Sequence, residues 1–344
     1  MSEVTTEWVV HGWSKGKQMS KKPKVAIYWL GACGGCDEAI VDLNEVLLKV
    51  ASAVDIVLWP LAMDYKYDSI ENAPNGSIAL SIIHGNIRNS EHEEMARLLR
   101  KKSQIVMAFG ACACFGGTAG LANFCGAESI MKWVFHEAPT VENPQHQMPQ
   151  AESPWDGQTL TLPELLDHVY TLDQVVHVDY YLPGCPPPPD LISHAIFAVL
   201  EGKLPPRGAV LAPQKALCDT CPRNNTKPPK MDITEINKIH EIEADSHTCF
   251  LMQGVVCMGP ATRSGCGETC LRINTPCRGC FGPVGGVEDS GAKFLSALTS
   301  LVKATTDEQV RSIMEKFQDP AGCLYRFTQP TSILGKRVKA RETV

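Results

Sequence analysis

The sequence predicts an α/β protein: a doubly wound, mostly parallel sheet, followed by an irregular C-terminal region that bound metal helps to hold together. Three observations carry this. Short apolar, β-rich runs alternate with helical stretches between residues 24 and 200. Cysteines stand just past the ends of three of those runs. Eight more cysteines crowd into 209–290, where apolar periodicity is weak. Buried strands that alternate with helices are the pattern of a parallel sheet covered on both faces.

The elements follow in order. Residues 1–23 are polar and mixed, with Trp8 and Trp13 and no clear period. They read as an N-terminal arm, loose as termini are unless tied down, and the tryptophans leave docking on a partner open. The run 24–30 (KVAIYWL) is a strand that ends in Gly31. A helix follows over 37–50, with Ile40, Val41, Val46, Leu47 and Val50 apolar. Residues 54–59 (VDIVLW) and 78–83 (IALSII) are the next strands. Residues 91–101 form an exposed helix, acidic first and basic last, as the helix dipole favours. Residues 104–109 (QIVMAF) and 175–182 (VVHVDYYL) are strands, and 189–200 a helix. Five prolines and little periodicity make 138–163 a long surface loop.

A boundary near 204–208 (LPPRG) separates a first domain, 24–205, from a second, 206–344. The second has helical stretches at 234–244, 292–303 and 306–317 and a basic tail at 336–341. Between 209 and 290 there is too little apolar periodicity for an independent core, so metal binding would have to supply folding free energy.

Composition narrows the class. The chain has 344 residues, 44% hydrophobic and 20% charged, with a formal net charge of −6. These values exclude collagenous and disordered proteins. No apolar run approaches the roughly 18 residues of a membrane span. No clustered basic face suggests nucleic acid as a partner. The N-terminus shows neither a long apolar segment nor a twin-arginine pair, so the expected compartment is the cytoplasm. The count of 15 cysteines is odd, and a chain this long needs no disulfides in place of a core. In a reducing compartment such thiols are metal ligands or redox groups.

Cysteine placement is therefore the most informative feature. Cys33 and Cys36 form a C-x2-C after the first strand. Cys112 follows the 104–109 strand in Gly110-Ala-Cys-Ala-Cys-Phe-Gly-Gly117, with Cys114 as its rival. Cys112 is nearer the strand end. Cys185 follows the 175–182 strand in Pro183-Gly-Cys-Pro-Pro. In an open parallel sheet these carboxyl ends share the edge that carries ligand crevices. Four thiolates from three loops suit a tetrahedral or cubane site. One C-x2-C joined by two distant single cysteines, on a sheet that folds without metal, favours iron–sulfur over structural zinc.

Farther on, Cys218 and Cys221 form a second C-x2-C, followed by Cys249 and Cys257. Then come Cys266, Cys270, Cys277 and Cys280. Eight thiols suffice for two four-thiolate sites, and a zinc ribbon stays open as the rival here. Cys114, Cys125 and Cys323 read as small buried thiols. No H-E-x-x-H, catalytic triad, phosphate loop or open-coordination site is visible. Three filled four-thiolate sites without a substrate pocket describe an electron conduit that serves a catalytic partner.

The motifs Cys33-Gly-Gly-Cys36, Gly110-Ala-Cys112 with Gly116-Gly117, Pro183-Gly-Cys-Pro-Pro187, Cys221-Pro-Arg223, Cys257-Met-Gly-Pro260 and Pro276-Cys-Arg-Gly-Cys280, in this order, resemble the small subunit of nickel–iron hydrogenases. The likeness runs from about Lys24 to Pro283. Within that family the chain looks most like the gamma subunit of the methyl-viologen-reducing, coenzyme F420-non-reducing type. The resemblance implies a flavodoxin-like first domain and a cluster-binding C-terminal domain. It implies a proximal 4Fe–4S cluster on Cys33, Cys36, Cys112 and Cys185. It implies a distal 4Fe–4S cluster on Cys218, Cys221, Cys249 and Cys257, where many relatives have His at the position of Cys218. It implies a medial cluster on Cys266, Cys270, Cys277 and Cys280. The medial cluster is 4Fe–4S if Cys270 is a ligand and 3Fe–4S if it is not. The implied partners are a large subunit holding the nickel–iron centre, a small iron–sulfur adaptor subunit and a heterodisulfide reductase complex. The alternatives are a zinc-stapled interaction protein and a complex-I-like iron–sulfur subunit. The eight cysteines after residue 209 count against the latter.

Overall fold

The structure is a computed structural model and describes residues 22–63 and 66–335. The N-terminal arm, for residues 1–21, and the basic tail at 336–341 lie outside the described residues. Five parallel strands form the central sheet: β1 (Lys24–Trp29), β2 (Asp55–Leu58), β3 (Ile78–His84), β4 (Ser103–Phe109) and β5 (Tyr180–Leu182). Their order is β2-β1-β3-β4-β5. This is the flavodoxin-like order, in which ligands bind beyond the carboxyl ends of the strands, where the strand order reverses.

Strand periodicity divides the core. Ala26, Ile83, Val106 and Ala108 face helix α3 (Ser90–Lys102) through Met95, Ala96 and Leu99. Val25, Ile27, Leu80, Ile82, Met107 and Phe109 face the other side. There they meet α1 (Gly35–Val41), α2 (Glu45–Ala53) and α5 (Pro189–Leu200) through Ala39, Ile40, Val50, Ile192 and Ile196. Alternate residues of each strand thus bury on opposite faces, as a pleated backbone requires. The short helix α4 (Gly110–Phe115) leaves β4 directly.

Four expectations are corrected. The helix expected over 37–50 is two helices, α1 and α2, with a break at 42–44. Asn44 adopts φ 50° there, and its side chain donates to Asp42 O at 2.8 Å. Asp and Asn side chains compete with helical backbone in this way. The strand expected over 175–182 is laddered only at Tyr180–Leu182, while Val175, Val176 and Val178 fill the core ahead of it. The loop 138–163 contains an antiparallel hairpin, Glu152–Trp155 with Gln158–Thr161. It closes on Asp156-Gly157, both at positive φ, the two-residue turn that matches strand twist. The strand Leu165–Tyr170, which pairs antiparallel with Ile87–Asn89, was not expected.

The helix expected over 234–244 is the fourth. Ile233 bridges Val302 and Asn237 bridges Val255, and the segment is irregular. Ile233 and Ile236 bury in a third apolar core with Leu217, Phe250, Leu251 and Leu271. Phe294 and Leu298 of α6 (Ser290–Leu301) complete it with Leu324, and Ile313 of α7 (Asp307–Lys316) packs against it half-buried. The C-terminal region therefore has an apolar core, which local periodicity did not reveal because many of its residues come from loops and helices of only a turn. The chain then returns to the first sheet. Phe327 packs on the first core, and the Gln174 amide donates to Pro330 O at 2.7 Å.

Candidate metal centres

Three loops at the carboxyl ends of β1, β4 and β5 carry Cys33, Cys36, Cys112 and Cys185. Cys36 lies in the first turn of α1 and Cys112 in α4. The Ala111 amide donates to Gly184 O at 2.6 Å, which ties the loops after β4 and β5 together. Two glycines show how closely sulfur approaches backbone. A Cβ on Gly110 would stand 2.5 Å from Cys36 Sγ, and one on Gly117 would stand 2.4 Å from Cys112 Sγ. Both glycines also have positive φ, 82° and 64°. No other residue fits there.

The four thiols act on one another. Burial pushes the Cys112 thiol up to about 12, with the charges of Cys185 and Cys33 adding to it. Burial raises Cys36 further still, and the charges of Cys112, Cys185, Cys33 and Asp37 add. Burial and then Cys33 raise Cys185. Burial and mutual repulsion thus favour the neutral thiol at Cys36, Cys112 and Cys185; a bound cation would supply the stabilisation their thiolates lack. Cys33 and Cys185 are exposed, so this set opens to the surface.

Cys114 does not join it. Its thiol is buried and donates to Ala108 O at 3.3 Å and Leu182 O at 3.6 Å, under the strand ends. Of the two other unassigned thiols, Cys323 is half-buried and Cys125 is exposed, against the expectation of burial.

In the C-terminal region Cys218, Cys221, Cys249 and Cys257 form a second neighbourhood. A Cβ on Gly259 would stand 3.2 Å from Cys218 Sγ and 3.7 Å from Cys257 Sγ. Burial pushes Cys257 up to about 11, against the hydrogen bonds it accepts from the Gly259 and Cys277 amides. Burial raises Cys218, which accepts a hydrogen bond from the Lys227 ammonium. Cys266, Cys270 and Cys280 lie together in a third neighbourhood. Burial pushes Cys280 up to about 12, followed by the charges of Cys266, Cys185 and Cys270. Cys277 is raised well above the usual thiol range by burial and then by Cys257.

The third neighbourhood touches both others. The Cys185 amide lies beside the Cys280 thiol, and the Cys277 amide donates to Cys257 Sγ at 3.3 Å. The order in space is therefore 33/36/112/185, then 266/270/280, then 218/221/249/257, with Cys277 between the last two and nearest Cys257. Among the described residues, no three His, Cys, Asp or Glu side chains converge closely enough to hold one metal ion.

Sequence reasoning missed the buried polar groups behind these thiols. Asp37, next to Cys36, accepts from Trp59 Nε1 at 2.8 Å. His84 Nε2 lies 3.0 Å from its other oxygen, close but not aligned as a hydrogen bond. All three residues are buried and come from separate elements, so no local pattern announced them. Arg223, by contrast, was visible in the Cys-Pro-Arg motif, but its burial was not.

Comparison with known proteins gives consistent results. A profile of the family described as NADH ubiquinone oxidoreductase, 20 Kd subunit, matches residues 33–199. An iron–sulfur subunit of the F420-non-reducing hydrogenase of Archaeoglobus profundus is 38% identical over 319 residues, 92% of this chain and 98% of that protein. The corresponding F420-non-reducing hydrogenase subunit of Methanothermobacter marburgensis is 35% identical over 325 residues, 93% of this chain and 99% of that protein. Among solved structures, a chain of an NAD+-reducing [NiFe]-hydrogenase in the H2-reduced state aligns with a TM-score of 0.47 and 31% identity. The alignment covers 54% of this chain and 94% of that one. No helix among the described residues is long and apolar enough to cross a membrane.

Proposed function

From the premise that this chain belongs to the family of F420-non-reducing hydrogenase iron–sulfur subunits, a small-subunit family of nickel–iron hydrogenases, we propose that it conducts electrons away from a hydrogen-oxidising large subunit. The chain is an oxidoreductase subunit that acts on dihydrogen as part of a complex. The observation that supports the conduit is the chain of contacts between thiol neighbourhoods, Cys185 with Cys280 and Cys277 with Cys257.

In this reading Cys33, Cys36, Cys112 and Cys185 hold a proximal 4Fe–4S cluster. Cys266, Cys270, Cys277 and Cys280 hold a medial one, and Cys218, Cys221, Cys249 and Cys257 a distal one. When bound, such a cluster supplies one-electron chemistry at a potential set by ligands, hydrogen bonds to sulfur and burial. The amides of Gly259 and Cys277 donate to Cys257 and stabilise it as a thiolate. The exposed Cys33 and Cys185 mark the edge that the large subunit covers, and the catalytic metal belongs to that partner. Electrons leave from the distal end for a small iron–sulfur adaptor subunit and a heterodisulfide reductase complex, in the cytoplasm. The domain division at 204–208 stands with this reading, one domain holding the proximal set and the other the medial and distal sets.

Metal analysis of the anaerobically purified complex tests this directly, with the large subunit's own iron subtracted. We expect about twelve irons and twelve acid-labile sulfides per small subunit, with coupled reduced-cluster EPR signals. Two or three zincs without labile sulfide would replace the conduit by a zinc-stapled structural protein. A second test addresses the medial set. Cys270→Ala should remove about one iron and produce the oxidised three-iron signal, while the other sets stay intact. Unchanged iron content in that variant would remove Cys270 from the ligands.

A further inference from the structure

Two arginines are buried among the described residues, and both lie between the cysteines of the C-terminal region. Arg223 is 3% exposed and Arg263 5% exposed. Arginines that pair with carboxylates among the described residues are Arg97, Arg100, Arg207 and Arg272. Among the described residues, Arg223 and Arg263 bond only to neutral acceptors. Arg223 Nη1 donates to Asp245 O at 2.9 Å and to Thr248 O at 3.1 Å. Its Nη2 donates to Leu271 O at 3.1 Å and to Asn274 Oδ1 at 2.8 Å. Its guanidinium carbon stands 4.2 Å from the centre of the Phe250 ring. Arg263 Nη1 donates to Pro213 O at 3.1 Å. The Nε of each arginine is buried without a partner.

A guanidinium keeps its charge in any protein environment, and a buried charge without a counter-charge costs several kcal/mol. Neutral carbonyls and an aromatic face solvate such a cation only in part. The loops that Arg223 joins are those of the two C-terminal thiol sets. Thr248 precedes Cys249, Leu271 follows Cys270, and Arg223 itself lies two residues past Cys221. Arg263 lies three residues before Cys266, with its backbone bridged to Ala216, two residues before Cys218. The buried charge beside Cys36 has the opposite sign, the carboxylate of Asp37.

We infer that Arg223, together with Arg263, is the counter-charge of the medial and distal clusters and raises their potentials relative to the proximal one. This rests on the conduit reading above. A cluster held by four thiolates is anionic and gains one more negative charge on reduction. A fixed cation in a low-dielectric interior therefore favours the reduced form. The charge pattern favours electrons at the C-terminal sets over the proximal set.

The test uses the complete hydrogenase complex carrying Arg223→Gln or Arg223→Lys in this chain. Iron and sulfide content are measured first, then the potential of each cluster by EPR redox titration. With clusters intact, Arg223→Gln should lower the reduced-to-oxidised ratio of the medial or distal cluster at least threefold at fixed potential. That is a downward shift of about 28 mV at 59 mV per tenfold. The proximal potential should stay in place, and Arg223→Lys should keep all potentials near the unmodified values. Intact clusters with unmoved potentials in Arg223→Gln would overturn the inference. If Arg223→Gln loses C-terminal iron, Arg223→Lys decides. Full loading at unmodified potentials shows that charge is what the region needs, whereas iron loss in Lys as well shows that only the fork geometry matters and overturns it. Absence of labile sulfide in the unmodified complex would instead overturn the conduit reading itself.

Discussion

Substitution of Gly110 by alanine should remove the cluster proposed at Cys36 while leaving the chain folded. The added Cβ would stand 2.5 Å from Cys36 Sγ, on a backbone at φ 82°. Left-handed backbone costs an L-residue about 1–2 kcal/mol, which a chain of this size tolerates. The overlap with sulfur is different. A free Cys36 side chain can rotate away, but a ligand cannot rotate and remain a ligand. Loss should therefore concentrate at the metal: about four irons fewer per chain, and hydrogen-driven dye reduction down about 100-fold or more. Gly76→Ala is the control. It has a similar φ of 66° but no atom within 4 Å of the added Cβ, so it should keep its iron. Full iron content and unmodified turnover in Gly110→Ala would show that Cys36 binds no cluster in the described position.

The second large effect concerns stability. Asp179 is fully buried at the start of β5, and its carboxylate accepts three hydrogen bonds. Its carboxylate accepts from Arg100 Nη1 at 2.6 Å, from the Val106 amide at 2.8 Å and from Arg207. This one carboxylate joins the end of α3 to β4 and to the segment leading into the C-terminal region. Removing one partner of a buried charge pair leaves the other uncompensated. Asp179→Ala should therefore cost about 3–5 kcal/mol. The thermal midpoint of the sheet domain should fall by about 10 °C. Asp179→Asn keeps the shape and an acceptor for the Val106 amide, so it should fall less. A midpoint for Asp179→Ala within about 2 °C of the unmodified chain would mean that Arg100 finds equivalent partners.

Much of this architecture was legible because its signals are local. Val25 and Ile27 alternate with Ala26 along β1, and that pattern alone marks a strand buried on both faces. Cys33, Cys112 and Cys185 each follow a strand end, and the parallel topology turns three separate positions into one edge. The hairpin at Glu152–Trp155 was also within reach, since Asp156-Gly157 is a strong turn signal; the surrounding prolines masked it. The C-terminal core was not legible. Ile233 and Ile236 belong to an irregular segment, Phe250 and Leu271 to helices of a single turn, and they acquire a common interior only when long loops close.

Local pattern alone was enough for the sheet and for the edge at which it carries thiols. Which thiols are neighbours, and which buried charges lie near them in the chain, emerged only from the folded molecule. Cys112 and Cys114 show the reason. They are two residues apart in one loop, and spacing alone left them rivals. In a helix each residue turns the chain by about 100°, so two residues point nearly opposite ways. Cys112 faces the charges of Cys33 and Cys185, while Cys114 faces the carbonyls of Ala108 and Leu182. Arg223 repeats the point at longer range. Its four acceptors come from residues 22 to 51 positions away, and only the folded chain brings them around one charge.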